Sequence, residues 1–317
     1  MLIIIPNRQF VQRLEMHVHL AWLGGCHLQR RLFSLILLSS LVWPALLDAR
    51  DLKPGWNLFS KEQDVQLGKE AAAQVRQQMP IVKDAGINDY IRKIGRRLAS
   101  QPQAGDFPYS FEVVADESIN AFALPGGPAF VHTGLILAAE NEAQLAGVLA
   151  HEIAHVALRH GTNQVSKANA VQIPAMILSG VLGRGGSMMD QLTQLGIGIG
   201  ANSVMMKFSR SAERDADLLG TRIMSSAGYN PIEMARFFEK LEAEGGSRGP
   251  EFLSSHPNPG NRVKAVQAEI QTLPRRQHTT DTGDLTRIQS SVSKIRVKPA
   301  RTTPAGSTPS RSRQRSR

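Results

Sequence analysis

The 317-residue sequence predicts an α+β protein, mostly helical with one small sheet, and three observations carry that expectation. Apolar residues recur at helical spacing through residues 61–101 and again from Asn141 onward. Between these stretches, "YSFEVVAD" (109–116) and "INAFALPGGPAFVHTGLI" (119–136) are rich in β-branched and aromatic residues, with Pro-Gly-Gly-Pro at 125–128 as a tight turn. A composition of 42% hydrophobic and 20% charged residues suits a packed globular body.

A leader is expected at the start of the chain. Arg30 and Arg31 precede the apolar run "LFSLILLSSLVWPALL", and Leu47-Asp48-Ala49 offers a small-residue cleavage site, so residues 1–49 read as a signal peptide or an uncleaved signal anchor. The lone cysteine, Cys26, precedes that run; the chain after the leader has no thiol, which excludes disulfides and thiolate ligands there.

Residues 51–274 form the expected catalytic body. Helices are expected over "KEQDVQLGKEAAAQVRQQM" and "INDYIRKIGRRLASQ", then the strands, then a helix capped by Asn141 and stopping at Gly161. Residues 171–208 are apolar and glycine-rich, and Arg184 and Asp190 divide them into pieces too short for a bilayer. They read as helices packed on the core or as a lid contacting membrane or envelope protein. Further helices are expected from Arg210 to Ser226, from an Asn230–Glu233 capping box to Gly245, and over "NRVKAVQAEIQTL", with "FLSSHPNPGNRV" as a loop. Residues 275–317 hold eleven basic and two acidic residues and few large apolar ones, which predicts a basic disordered tail. The net charge of +10 belongs to the chain ends, since residues 51–274 carry 21 basic and 23 acidic groups. Without interleaved aromatics the tail suits anionic surfaces, and no specific nucleic-acid recognition is expected.

The chemistry is expected at His151, Glu152 and His155. Histidines four apart share one helix face and can hold one metal ion, while Glu152, about 100° around, stands near the metal as a general base. Leu145, Val148, Leu149, Ile153, Val156 and Leu158 surround them, so these polar groups sit against the core, where a partner is needed. A catalytic zinc needs a third protein ligand. His160 would point about 140° from His155 on a continuous helix and reads as a structural or surface histidine. "SRSAERDADLLG" is the better source: Glu213 and Asp217 are four apart, Glu213 as ligand and Asp217 orienting an imidazole.

His151-Glu152-x-x-His155, Ser209-Arg210-x-x-Glu213-x-x-Ala216-Asp217, His256-Pro257 with Arg262, and "NAFALPGG" together resemble the HtpX-, BepA- and LoiP-type zinc metallopeptidases, relatives of the CAAX prenyl proteases. The resemblance spans roughly residues 60–273 and is closest to short exported bacterial members. It implies a gluzincin fold, one zinc per chain held by His151, His155 and Glu213, and endopeptidase activity with Glu152 as base. An unfolded polypeptide substrate would extend along an edge strand at Asn120, Ala121, Phe122, Ala123 and Leu124. The implied setting is quality control of misassembled proteins in the periplasm or envelope. His256 keeps three readings: oxyanion donor, occupant of the open zinc position at rest, or a loop histidine of the His-Pro turn. Arg262 either pairs with an acid such as Asp217 or faces solvent. The competing function is a non-proteolytic zinc-containing chaperone or binding protein.

Overall fold

The structure is a computed structural model and describes residues 51–170, 207–244 and 250–295. Its elements are helices α1 (Lys61–Gln78) and α2 (Ala85–Ala99), strands β1 (Ser110–Val114), β2 (Ala121–Ala123) and β3 (Pro128–His132), then α3 (Thr133–Ala138), α4 (Glu142–Ala157) and α5 (His160–Ala168). After the undescribed stretch follow α6 (Arg210–Ser226), α7 (Ile232–Glu244), α8 (Glu251–Ser255), α9 (Arg262–Thr272) and α10 (Leu285–Val292). The expected α+β class, helical with a small sheet, is what the chain adopts.

The sheet has the order β1-β3-β2, with β1 parallel and β2 antiparallel to β3. The β2–β3 hairpin turns at Gly126 and Gly127, both at positive φ. A Cβ on Gly126 would stand 2.4 Å from Val65 Cα, so the turn lies directly on α1. β2 is left at the sheet's edge beside α4. The strand run expected to continue to Ile136 ends at His132, because Thr133–Ala138 turns into α3.

Helix α4 is the centre of the molecule and buried on every side from Glu142 to Val156. Its start follows the expected cap, Asn141 Oδ1 accepting from the Gln144 amide at 3.0 Å. Its small residues let neighbours approach: a Cβ on Gly147 would lie 2.7 Å from Met234 Cβ on α7. Even one added methyl there would overpack the contact, at a cost of ~1–3 kcal/mol. Glu233 does not close the expected capping box; it accepts from Asn141 at 3.0 Å and from Arg236 at 2.6 Å, tying α7 to the start of α4.

Three expectations are corrected. The helix expected to stop at Gly161 breaks at Arg159, which adopts φ 56°, and His160 opens α5. The loop expected at 252–263 includes the end of the short helix α8. The tail expected to be disordered from residue 275 is ordered to at least residue 295: Leu285, Ile288 and Val292 on one face of α10 are buried against the core. Before α10, Thr280 C=O accepts from the Ala143 amide and the Thr282 hydroxyl donates to Glu142, so this segment straps the start of α4. The lid or membrane contact expected at 171–208 lies outside the described residues save 207 and 208. Among the described residues, no helix is long and apolar enough to cross a membrane.

Candidate active site

Two buried helices cross to build the site. α4 presents His151, Glu152 and His155, none more than 4% exposed, and α6 presents Glu213 and Asp217, both at or below 1%. The four-residue spacing on each helix places both polar pairs on the facing surfaces. The end of α8 adds His256 and the start of α9 adds Arg262.

Nitrogen and oxygen atoms of His151, His155, Glu213 and His256 lie within 4.8 Å of one another. His151 Nε2 is 3.3 Å and His155 Nε2 is 3.4 Å from Glu213 oxygens, and the two Nε2 atoms are 3.0 Å apart. His256 Nδ1 is 3.1 Å from Glu213 Oε1 and 3.3 Å from His151 Nε2. Asp217 Oδ1 meets His151 Nδ1 at 3.0 Å and so holds a proton on that nitrogen and turns Nε2 toward the cluster. Arg262 Nε donates to Asp217 at 2.7 Å and Nη2 to Glu213 at 3.3 Å, with the guanidinium 4.3 Å from the Phe238 ring centre. Arg262 therefore pairs with both acids, not solvent.

This donor set fits a zinc-type cation. Imidazole and carboxylate donors about 2.0–2.1 Å from zinc at the corners of a tetrahedron stand roughly 3.3–3.4 Å apart, close to the 3.0–3.4 Å separations found. One shared proton cannot bond all of these converging lone pairs, whereas one cation can.

The electrostatics keep Glu213 anionic. Burial opposes ionisation of Glu213, yet His256, His151 and His155 hold its carboxyl well below the usual carboxylate range. Burial also opposes charge on His151, but Asp217 and Glu213 hold its pKa up at about 9. Burial pushes His155 well below the usual histidine value. Burial raises Glu152, His256 and His151 partly offsetting it, so this carboxyl is poised to take and return a proton.

Glu152 also meets the expected substrate strand, its Oε2 accepting from the Ala123 amide at 3.0 Å, while Oε1 lies 3.4 Å from His256 Nε2. Flanking β2, the Leu124 N–H donates to the Pro128 carbonyl and the Asn120 carbonyl accepts from the His132 amide, both on β3. By alternation the main-chain groups of Ala121 and Ala123 face the open side and those of Phe122 face β3. Phe122 and Leu124 are buried, and the Asn120 carboxamide is buried with neither polar atom bonded among the described residues.

Two residues of the site were not anticipated. The His160 ring returns to His155, with the Nδ1 atoms 3.0 Å apart, because the chain reverses at Arg159 and is not one continuous helix. The left-handed Arg159 costs on the order of 1–2 kcal/mol and is held by Asp64 Oδ2 at 2.5 Å and Phe59 C=O at 2.6 Å. Phe208 also stacks on His155, ring centres 4.2 Å apart. No local sequence pattern marks either contact.

The chain matches Peptidase family M48 over residues 87–270. It is 32% identical over 236 residues to the beta-barrel assembly-enhancing protease of Escherichia coli K12, covering 70% of this chain and 48% of that protein. The putative protein of the same name from Vibrio cholerae is 32% identical over 223 residues, 67% of this chain and 45% of its own length. The mitochondrial metalloendopeptidase OMA1 of Schizosaccharomyces pombe is 29% identical over 197 residues, 62% of this chain and 56% of its own. The chain thus spans about half the length of the curated relatives it matches. With the family match spanning more than half the chain and taking in the whole cluster, the chain belongs to peptidase family M48.

Proposed function

We propose that this member of peptidase family M48 is a zinc-dependent endopeptidase acting on unfolded or misassembled polypeptide in the cell envelope. The observation that carries the reading is the convergence of four buried donors beside a carboxylate that is itself bonded to an edge strand. The envelope setting rests on the export-type leader and on relatives named for beta-barrel assembly.

His151, His155 and Glu213 would hold the zinc, with Asp217 and Arg262 fixing His151 and Glu213 from behind. Zinc bound there would supply Lewis acidity to water and to a peptide carbonyl. Glu152 takes the proton from the attacking water and returns it to the leaving amine, its raised proton affinity suiting both steps. The substrate extends along β2, bonding the outward main-chain groups of Ala121 and the Ala123 carbonyl. A compact domain cannot add itself as a strand, so unfolded chain is favoured. His256, the remaining donor of the cluster, would be displaced when substrate enters.

Four protein donors is also the count of a structural zinc site, which favours a non-proteolytic zinc protein as the second reading. Comparison of newly formed peptide termini in cells carrying wild type or Glu152→Gln decides between them. Termini that vanish in the variant are expected; identical sets would favour the structural zinc.

A further inference from the structure

We propose that His160 is a positioning residue for the metal, fixing through one hydrogen bond which nitrogen of His155 faces the cluster. The inference rests on the reading of His155 as a metal ligand.

His155 Nε2 belongs to the cluster, 3.0 Å from His151 Nε2 and 3.4 Å from Glu213. A ligating imidazole is neutral, so its proton sits on Nδ1 and needs an acceptor. The atom opposite is His160 Nδ1 at 3.0 Å, and the rings meet edge to face at 73°. Only one proton fits between two such nitrogens. His155 therefore donates, and His160 accepts with its own proton on Nε2.

The contact is built by the backbone. On a continuous helix the His160 side chain would lie about 140° from that of His155. The reversal at Arg159, clamped by Asp64 and Phe59, brings it back. The two α4 ligands are consequently tuned unequally: His151 donates to a carboxylate, Asp217, while His155 donates to a neutral imidazole. An anionic acceptor makes its imidazole the stronger metal donor, which leaves His155 the more readily released ligand.

The test compares full-length wild type with His160→Leu, which removes the acceptor, and His160→Asn, which keeps an oxygen near the Nδ1 position. Zinc affinity is read by chelator competition, and the His155 tautomer by nitrogen-15 NMR of the zinc-loaded wild type. Expected are a proton on His155 Nδ1, a roughly 10–100-fold loss of affinity in the leucine variant, and near-wild-type affinity in the asparagine variant. Wild-type affinity in His160→Leu, or equal loss in both variants, overturns the proposal while leaving the zinc reading intact. Should the leucine variant not fold, the tautomer decides, a proton on Nε2 overturning the proposal. A wild type that binds no zinc overturns the metal reading and this inference together.

Discussion

His256 Nδ1 stands 3.1 Å from Glu213 Oε1, the same oxygen that lies 3.4 Å from His155 Nε2. A histidine so placed competes for the position that a catalytic metal keeps open for water and substrate. His256→Ala should therefore raise hydrolysis of a short unstructured peptide, measured as initial rate with zinc in excess. A fall of ~10²-fold or more would instead make His256 a donor to the developing oxyanion.

Arg262 is 3% exposed and bonds both Asp217 and Glu213. Arg262→Ala leaves two buried carboxylates without their cation. A loss of ~3–5 kcal/mol in urea unfolding is expected, with reduced zinc occupancy, because Asp217 then holds His151 less firmly. Unchanged unfolding would mean that the ion pairs add nothing net.

Truncation after Pro274 should lower the melting temperature well below that of a chain truncated after Ile295. The shorter chain loses the burial of Leu285, Ile288 and Val292, each worth ~1.5–3 kcal/mol, and the bonds from Thr280 and Thr282 to the start of α4. Equal melting of the two truncations would reduce the strap to a passive attachment.

His132 supplies a pH dependence. Burial pushes its imidazole below the usual histidine value, with Asp116 opposing, and the ring bonds Ser118 at 2.7 Å. The unfolded chain, titrating near pH 6.5, then binds more protons than the folded one below that pH. This contribution is complete above about pH 6.5 and is lost as pH falls toward the folded value. Urea midpoints at pH 7.5 and 5.5 should differ less in His132→Asn than in wild type; an equal difference would contradict the assignment.

Much of this site was legible in the sequence because its spacing is local. His151 with His155 and Glu213 with Asp217 are each four apart, and helical geometry alone puts each pair on one face. His256 and Arg262 became readable only through the family resemblance, since one caps the end of α8 and the other opens α9, with no period linking them. The His160 contact was not legible: it depends on a left-handed Arg159 held by Asp64, 95 residues away, which no local propensity encodes. The ordered strap was concealed by composition, though Leu285, Ile288 and Val292 already stood at helical spacing. In that segment a short apolar stripe decides the structure more than the polar average around it.

In the proposed function Glu152 moves the proton, and His151, His155 and Glu213 hold the metal. The most direct measurement pairs zinc content with peptide hydrolysis in purified wild type, Glu152→Gln and Glu213→Gln. Expected are about one zinc per chain and activity in wild type, full zinc without hydrolysis in Glu152→Gln, and depleted zinc in Glu213→Gln. Hydrolysis at the wild-type rate in Glu152→Gln, or equal zinc loss in both variants, would contradict it.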